Sequence, residues 1–528
     1  MSVAQTAKEW IFTTDHKRVG VLYLIGSMAA FAIAGLMAIL MRLELSHLGP
    51  TITNNPSQYN VWLYNHGAVM ILGFQIPALT GFFANYCVPL MIGAKDVAFP
   101  RLNALSVWLF YAGVVVVLLG FFIPDPPDVM WTGYPPYSVM TTGNTAFYTF
   151  TVLLLGFSSI LGGVNFLTTV SFMRAPGITW TKLNIFVWSI LAAFALQLIF
   201  VPVLGTAVTL ITFDKYLGTH FFDPSTGGDV LTYQNLFWFY SHPAVYVIYM
   251  PFIGVVYEIV ATFARNRVFN YNMVVFGGFG GIVLLSGEVW IHHLYVTGMP
   301  DWLRIGMMVT TLAISVPVGL TIIGLVGTLY KGAIDFRTPM LYALGVVFLF
   351  LIGGLTGIPL AVTSLTVHLA QTYYVVGHFH YVMAVAGTFA IFGGVYYFFP
   401  KITGKMYNEA IGKIGFWLTF IGVNMVFWTM MVIGVQGMPR RYYDYSHFPQ
   451  FQSAHELMTF GTAFIGLGFA LAVVNWIMGA INGKEAGPNP WGSKSLEWTT
   501  VSPPPHGNWP EIPKVDADWH PYGYGARS

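Results

Sequence analysis

The chain has 528 residues, 56% of them hydrophobic and only 8% charged. Soluble domains carry roughly 25% charged residues, so an ordinary soluble fold is excluded. A net charge of +2 without a basic tract argues against nucleic acid. The single cysteine, Cys87, excludes internal disulfides, Cys-ligated zinc and iron–sulfur clusters.

The first twenty residues are polar and basic, without the short apolar core of a cleavable signal. Beyond them, apolar runs near 20 residues recur about twelve times. They fall at 20–41, 61–91, 105–123, 146–173, 184–212, 231–262, 271–296, 304–330, 340–361, 366–399, 412–434 and 455–481. If sides alternate, only Arg42, Lys215, Arg304, Arg440 and Arg441 of the 23 Lys and Arg collect on one face. The rest share the face that bears both termini, which the positive-inside tendency puts in the cytoplasm. An odd number of spans scrambles that split. From Gly483 the chain turns polar and proline-rich, with Pro503-Pro504-Pro505. The expectation is an all-α integral membrane bundle of about twelve transmembrane helices over 1–482, with 483–528 as an extended cytoplasmic tail. No internal repeat suggests inverted-repeat transport.

Six of the fourteen histidines fall inside these spans: His66, His242, His292, His293, His378 and His380. A histidine within a membrane span is costly and marks function by default. On a helix, positions two apart face nearly opposite sides. His378 and His380, in Tyr373-Tyr374-Val375-Val376-Gly377-His378-Phe379-His380-Tyr381, therefore serve two centres on either side of one helix. His66 can meet His380 across the bundle, and two facing imidazoles are what a six-coordinate haem iron requires. Gly67, Gly377 and Gly387 are expected to leave room for the macrocycle. His378, without a second ligand opposite, gives a five-coordinate haem with a face open to a gas. His242 joins the adjacent pair His292 and His293 in a three-nitrogen site suited to copper, zinc or iron. Tyr246 stands one helical turn after His242, on the same face. A phenol beside a redox metal can give up both an electron and a proton.

These residues resemble subunit I of the haem–copper respiratory oxidases, along nearly the whole chain. The likeness includes Arg42-Leu43-Glu44, Ile92 to Arg101, Ser158 to Gly162, His242-Pro243 with Tyr246, His292-His293, Tyr373 to Tyr381, and Met438 to Tyr442. The resemblance implies a low-spin haem on His66 and His380 and a high-spin haem on His378. It puts copper on His242, His292 and His293, with Tyr246 cross-linked to His242. Haem a is the implied type and haem b the alternative; iron is the alternative to copper. Arg440 and Arg441 match the pair that binds haem propionates, and Trp131 and Arg42 join the haem surroundings. Implied partners are an electron-entry subunit with dinuclear copper, further small membrane subunits and cytochrome c, in a bacterial-type cytoplasmic membrane.

By the same resemblance Asp96 opens a proton pathway lined by Asn85, Asn103, Ser158, Ser159 and Asn165. The family's commonest form ends this path at a glutamate where this chain has Ala244. A subgroup uses the tyrosine matched here by Tyr240-Ser241. Three departures lack such a substitute. Thr321 stands where most members carry the lysine of a second proton path, with Val318 and Tyr257 replacing hydroxyl residues there. Ala370 and Gln371 replace a magnesium-binding His-Asp pair. Glu288 lies four residues before His292, and a regular helix puts both on one face. The leading expectation is reduction of O2 to water with proton translocation. The alternative is reduction of nitric oxide (NO) to nitrous oxide, with Glu288 as a catalytic acid. A transporter without redox chemistry is the reading from another class, and the six histidines argue against it.

Overall fold

The computed structural model describes residues 3–524; Arg527 and the rest of the last four positions lie outside them. Among the described residues there is no strand, only the isolated bridges Thr372 to Pro439 and Lys405 to Glu485. Eleven helices among the described residues are long and apolar enough to cross a membrane: His16–Glu44, Pro56–Met91, Pro100–Gly120, Thr145–Phe172, Ile185–Leu217, Val230–Ala264, Asp301–Leu329, Thr338–Ala361, Tyr373–Thr403, Glu409–Val435 and Pro449–Asn482.

Eleven crossings would leave the two ends of the bundle's chain on opposite sides. Yet His16, at the start of the first helix, hydrogen-bonds Asn508 of the tail. The crossing number is therefore even, and the missing crossing is the expected seventh. It is built from a short apolar helix, Met273–Ser286, a turn at Gly287-Glu288, and a 3₁₀ segment, Trp290–Leu294. The break in regular helix keeps it from reading as one long span.

Helix starts follow from side-chain caps. Asp15, Asn55, Asp229, Thr372 and Asn408 each accept a hydrogen bond from a backbone N–H of the first turn that follows. The expected span 366–399 is cut by the cap at Thr372, so its long helix begins at Tyr373. Within the sixth crossing, Pro243 and Pro251 each remove a backbone donor. Stretches of wider π geometry occur at Val69–Gln75, Pro77–Phe83, Met273–Gly280, His380–Val385 and Asn424–Trp428. Such turns are rare and gather at functional sites. Here one follows closely after His66 and another begins at His380.

The outer surface is apolar, with Phe122, Phe172 and Leu284 among its most exposed side chains. An apolar surface of that extent suits lipid or partner helices. The tail is extended in backbone but is not free. Trp491, Leu496, Glu497, Trp498 and Asn508 are buried. The contact of Asn508 with His16 docks them at the end of the bundle where the first helix starts.

Candidate redox site

A cavity of about 1530 Å³ runs through the bundle, lined by all six intramembrane histidines together with Arg42, Trp131, Tyr240, Ser241, Tyr246, Arg440 and Arg441. The lining residues come from most of the crossings, so the site exists only in the folded bundle.

His66 and His380 face each other with ring centroids 6.2 Å apart and planes only 10° apart. The Nδ1 of His66 lies 3.0 Å from the Ala34 carbonyl, and that of His380 lies 2.8 Å from the Val376 carbonyl. Each Nδ1 therefore donates, which leaves each Nε2 free to accept or to bind a metal. The His380 ring is further stacked on Phe427, 4.3 Å away. On the same helix, His378 Nδ1 lies 3.0 Å from the Gly353 carbonyl of a different crossing. A Cβ at Gly357 would come within 2.9 Å of the His378 ring, so a glycine there is what lets the imidazole in. The two rings thus face different crossings, His380 toward His66 and His378 toward Gly353.

His242, His292 and His293 form a cluster whose ligand nitrogens all lie within 4.8 Å of one another. His242 Nε2 is buried without a hydrogen-bond partner, as a free ligand atom should be. The Trp238 ring stacks on His293 at 3.5 Å, and the Thr311 hydroxyl lies 3.3 Å from His292 Nδ1. These contacts fix the ring planes. The Tyr246 ring lies 4.9 Å from that of His242. Three imidazoles without a thiolate fit copper, zinc or iron.

Arg440 and Arg441 sit in the loop after the eleventh crossing and line the cavity. Burial, and then the neighbouring Arg441, push the Arg440 guanidinium down to about 9. Its Nε has no partner, and neither has the buried Nε of Arg42. Two adjacent, largely enclosed cations with an orphaned donor fit a ligand that brings carboxylates. Trp131 packs against Gly67, where a Cβ would meet it at 2.9 Å.

Two expectations need correction. Gly377 packs against Met431 and the Phe427 carbonyl, and Gly387 faces Gln75 and Ile248. Neither lines the cavity, so their small size serves helix packing rather than a macrocycle. Glu288 is exposed and is not among the cavity lining. The helix ends at Ser286 and resumes as 3₁₀ at Trp290, so the four-residue spacing no longer puts Glu288 on the face of His292.

Asp96 lies in the loop between the second and third crossings, and its Oδ1 accepts the Val97 N–H at 2.7 Å. Burial pushes its carboxyl up to about 6, against the pull of that N–H. Asn103 donates to Asn85 at 2.5 Å. Asn165 accepts the Phe99 N–H at 2.9 Å, bracing the loop beyond Asp96. Ser158 lies 2.9 Å from the Tyr23 hydroxyl, which also donates to Ser106 at 3.0 Å. A cavity of about 20 Å³ among Tyr23, Thr80, Asn85, Ser106, Ser158 and Ser159 has room for about one water. Tyr23, Thr80 and Ser106 escaped the sequence reading; the only signal was a hydroxyl inside an apolar span. Thr321 is not isolated either. Its Oγ1 lies 2.6 Å from the Tyr249 hydroxyl, and its carbonyl accepts from Tyr257 at 2.6 Å.

An all-helical membrane bundle with two apposed histidines, a third beside them and a three-histidine cluster in one cavity defines a multi-pass redox protein. Comparison with known proteins specifies it. Residues 18–464 match the family model described as cytochrome c and quinol oxidase polypeptide I, so the chain belongs to that family. Cytochrome c oxidase subunit 1 of Thermostichus vulcanus is 40% identical, over 99% of this chain and 95% of that protein. The Synechocystis sp. protein of the same description is 42% identical, over 97% and 92%. A heme–copper terminal oxidase dimer solved by cryo-EM shares the fold, with TM-score 0.76 at 18% identity over 89% of this chain and 84% of that one. The protein is an oxidoreductase of the cytochrome c oxidase type, the catalytic subunit of a haem–copper oxidase. Haem and copper are its cofactors, and other subunits and a membrane its setting.

Proposed function

We propose that this chain reduces O2 to water, with electrons from cytochrome c entering through a partner subunit that carries dinuclear copper. The observation that carries the reading is Tyr246 against His242 in the three-histidine cluster, while Glu288 stands outside the cavity. Cleaving O–O without releasing peroxide takes four electrons in close succession. A haem iron held by His378 and a copper held by His242, His292 and His293 would supply three. Tyr246 supplies the fourth together with its phenolic proton, and a covalent link to His242 would hold it in place.

In this reading His66 and His380 hold a low-spin haem, His378 a high-spin haem, and His242, His292 and His293 copper. Haem a is the proposed type. Arg440 and Arg441 bind the propionates, with Arg42 and Trp131 at the haem edges. The termini face the cytoplasm of a bacterial-type inner membrane, which puts Asp96 on the proton-supplying side. From there Asn85, Asn103, Ser158, Ser159 and Asn165 line the way inward, with Tyr240-Ser241 at the inner end, and translocation accompanies turnover. The test is turnover of the purified, reduced complex with oxygen and nitric oxide electrodes in one chamber. Fast oxygen uptake with slow NO loss supports the proposal. Fast NO loss with slow oxygen uptake makes the protein a nitric oxide reductase instead.

A further inference from the structure

We propose that Asn508, in the tail, is a positioning residue for proton intake: it fixes the hydrogen-bonding of His16 so that Asp96, and not the imidazole, takes up protons at the mouth of the pathway. The inference rests on the reading of Asp96 as that mouth.

Asn508 and His16 are both fully buried. Asn508 holds φ +70, a left-handed conformation that asparagine tolerates better than most residues. Its carbonyl accepts from the Thr500 hydroxyl at 2.6 Å and its N–H donates to the Pro505 carbonyl at 3.0 Å. The side chain is thus delivered to one place. There the neighbours settle which end of the amide is which. Lys17 Nζ, which can only donate, lies 2.9 Å from Oδ1, and the Ala94 carbonyl, which can only accept, lies 2.8 Å from Nδ2.

That orientation dictates the roles of His16. Its Nδ1 lies 2.6 Å from the Asn85 carbonyl and must donate. Its Nε2 lies 2.9 Å from Asn508 Nδ2 and 3.1 Å from Oδ1. A neutral imidazole that donates through Nδ1 has only a lone pair on Nε2, and Nδ2, the nearer amide atom, has a second hydrogen to give, so Nε2 accepts. A proton on Nε2 would oppose that hydrogen and would have only the more distant Oδ1, shared with the Lys17 ammonium, to turn to. Turning the amide to relieve the clash would aim Nδ2 at Lys17 and Oδ1 at the Ala94 carbonyl.

The same short segment contacts Asp96, whose carboxylate accepts the backbone N–H of His16. Asn85, on the far side of the ring, is the partner of Asn103. The charged groups around His16 are Asp15 and Lys17 from its own turn, with Asp96 in the facing loop. Without the amide, the Nε2 of His16 becomes a second proton acceptor beside Asp96 and retains protons that would otherwise pass inward.

The experiment measures proton uptake and oxygen consumption against pH in the whole complex, for Asn508→Asp, His16→Gln, the double variant and Asp96→Asn. Asn508→Asp replaces the donor with an acceptor, so protonated His16 is favoured. We expect uptake at pH 7 to fall about tenfold, less than the roughly 10²- to 10⁴-fold contributed by a group that itself transfers the proton. The pH profile should move while the haem spectrum stays unchanged. In the His16→Gln background the same substitution should add little, because its effect runs through the imidazole. An unmoved profile in Asn508→Asp, or an equal shift with and without His16, overturns the proposal. If Asp96→Asn leaves uptake at the original rate, the intake reading itself fails, and this inference with it. If Asp96→Asn slows uptake but Asn508→Asp does not, only this inference fails.

Discussion

The rings of His66 and His380 lie parallel within 10°, with centroids 6.2 Å apart, although they come from crossings far apart in the chain. Each points its Nδ1 at a backbone carbonyl, which leaves the two Nε2 atoms free for the haem iron proposed above. Replacing His66 by Leu should remove one haem of the two and leave the His378 site occupied. Haem extraction and the reduced spectrum check it: the low-spin band disappears, and turnover falls below about 1% because electrons lose their entry step.

Tyr246 is 4.9 Å from His242, ring to ring. Tyr246→Phe keeps the packing and removes the hydroxyl. Oxygen turnover should drop by at least about 100-fold, as expected for a group used in the chemical step, with haem and copper contents unchanged. Retained turnover would mean that the fourth electron comes from another group, such as the low-spin haem proposed on His66 and His380, and not from Tyr246.

Glu288→Gln separates the two gases. An exposed carboxylate outside the cavity should be dispensable for oxygen reduction, so turnover should stay within about twofold, the range of ordinary surface changes. A large loss confined to NO consumption would point to nitric oxide as the substrate.

Burial raises the Asp96 carboxyl to about 6, so the group is protonated below that pH and ionised above it. Intake through it should be fastest below about pH 6 and slow as pH rises further. Asp96→Asn should cut turnover at pH 7 by about 10- to 100-fold and remove the component of the pH profile that follows this carboxyl. Steady-state oxygen consumption across the pH range measures both.

Glu497 gives the tail its own pH dependence. Burial, and then the nearby Glu258, raise its carboxyl to about 8, partly offset by the Ser495 hydroxyl and, more weakly, by Lys401. Because the docked tail holds this proton more tightly than the free chain, the stabilisation is complete below about 4.5 and is lost progressively as pH rises through 8. Glu497→Gln should slow proteolysis of the tail at pH 9 and change little at pH 5.

Much of this was legible in the sequence. The alternation of positive charge required an even number of crossings, and the contact between His16 and Asn508 agrees with it. The six histidines stood out because a polar group in a span is costly, and all six line one cavity. Glu288 misled because facing arguments assume an unbroken helix, and the turn at Gly287 breaks it. Gly377 misled because a small residue equally serves a close helix contact, here with Met431. His16 with Asn508, 492 positions apart, left no local pattern to read.

The most direct test of the six-histidine assignment is haem and copper content per chain, combined with carbon monoxide binding to the reduced complex. Two haems and one copper are expected, with carbon monoxide taken up by half of the haem, the half on His378. His293→Ala should lose the copper while keeping both haems. Copper retained in that variant, or carbon monoxide binding to all of the haem or none, would contradict the assignment.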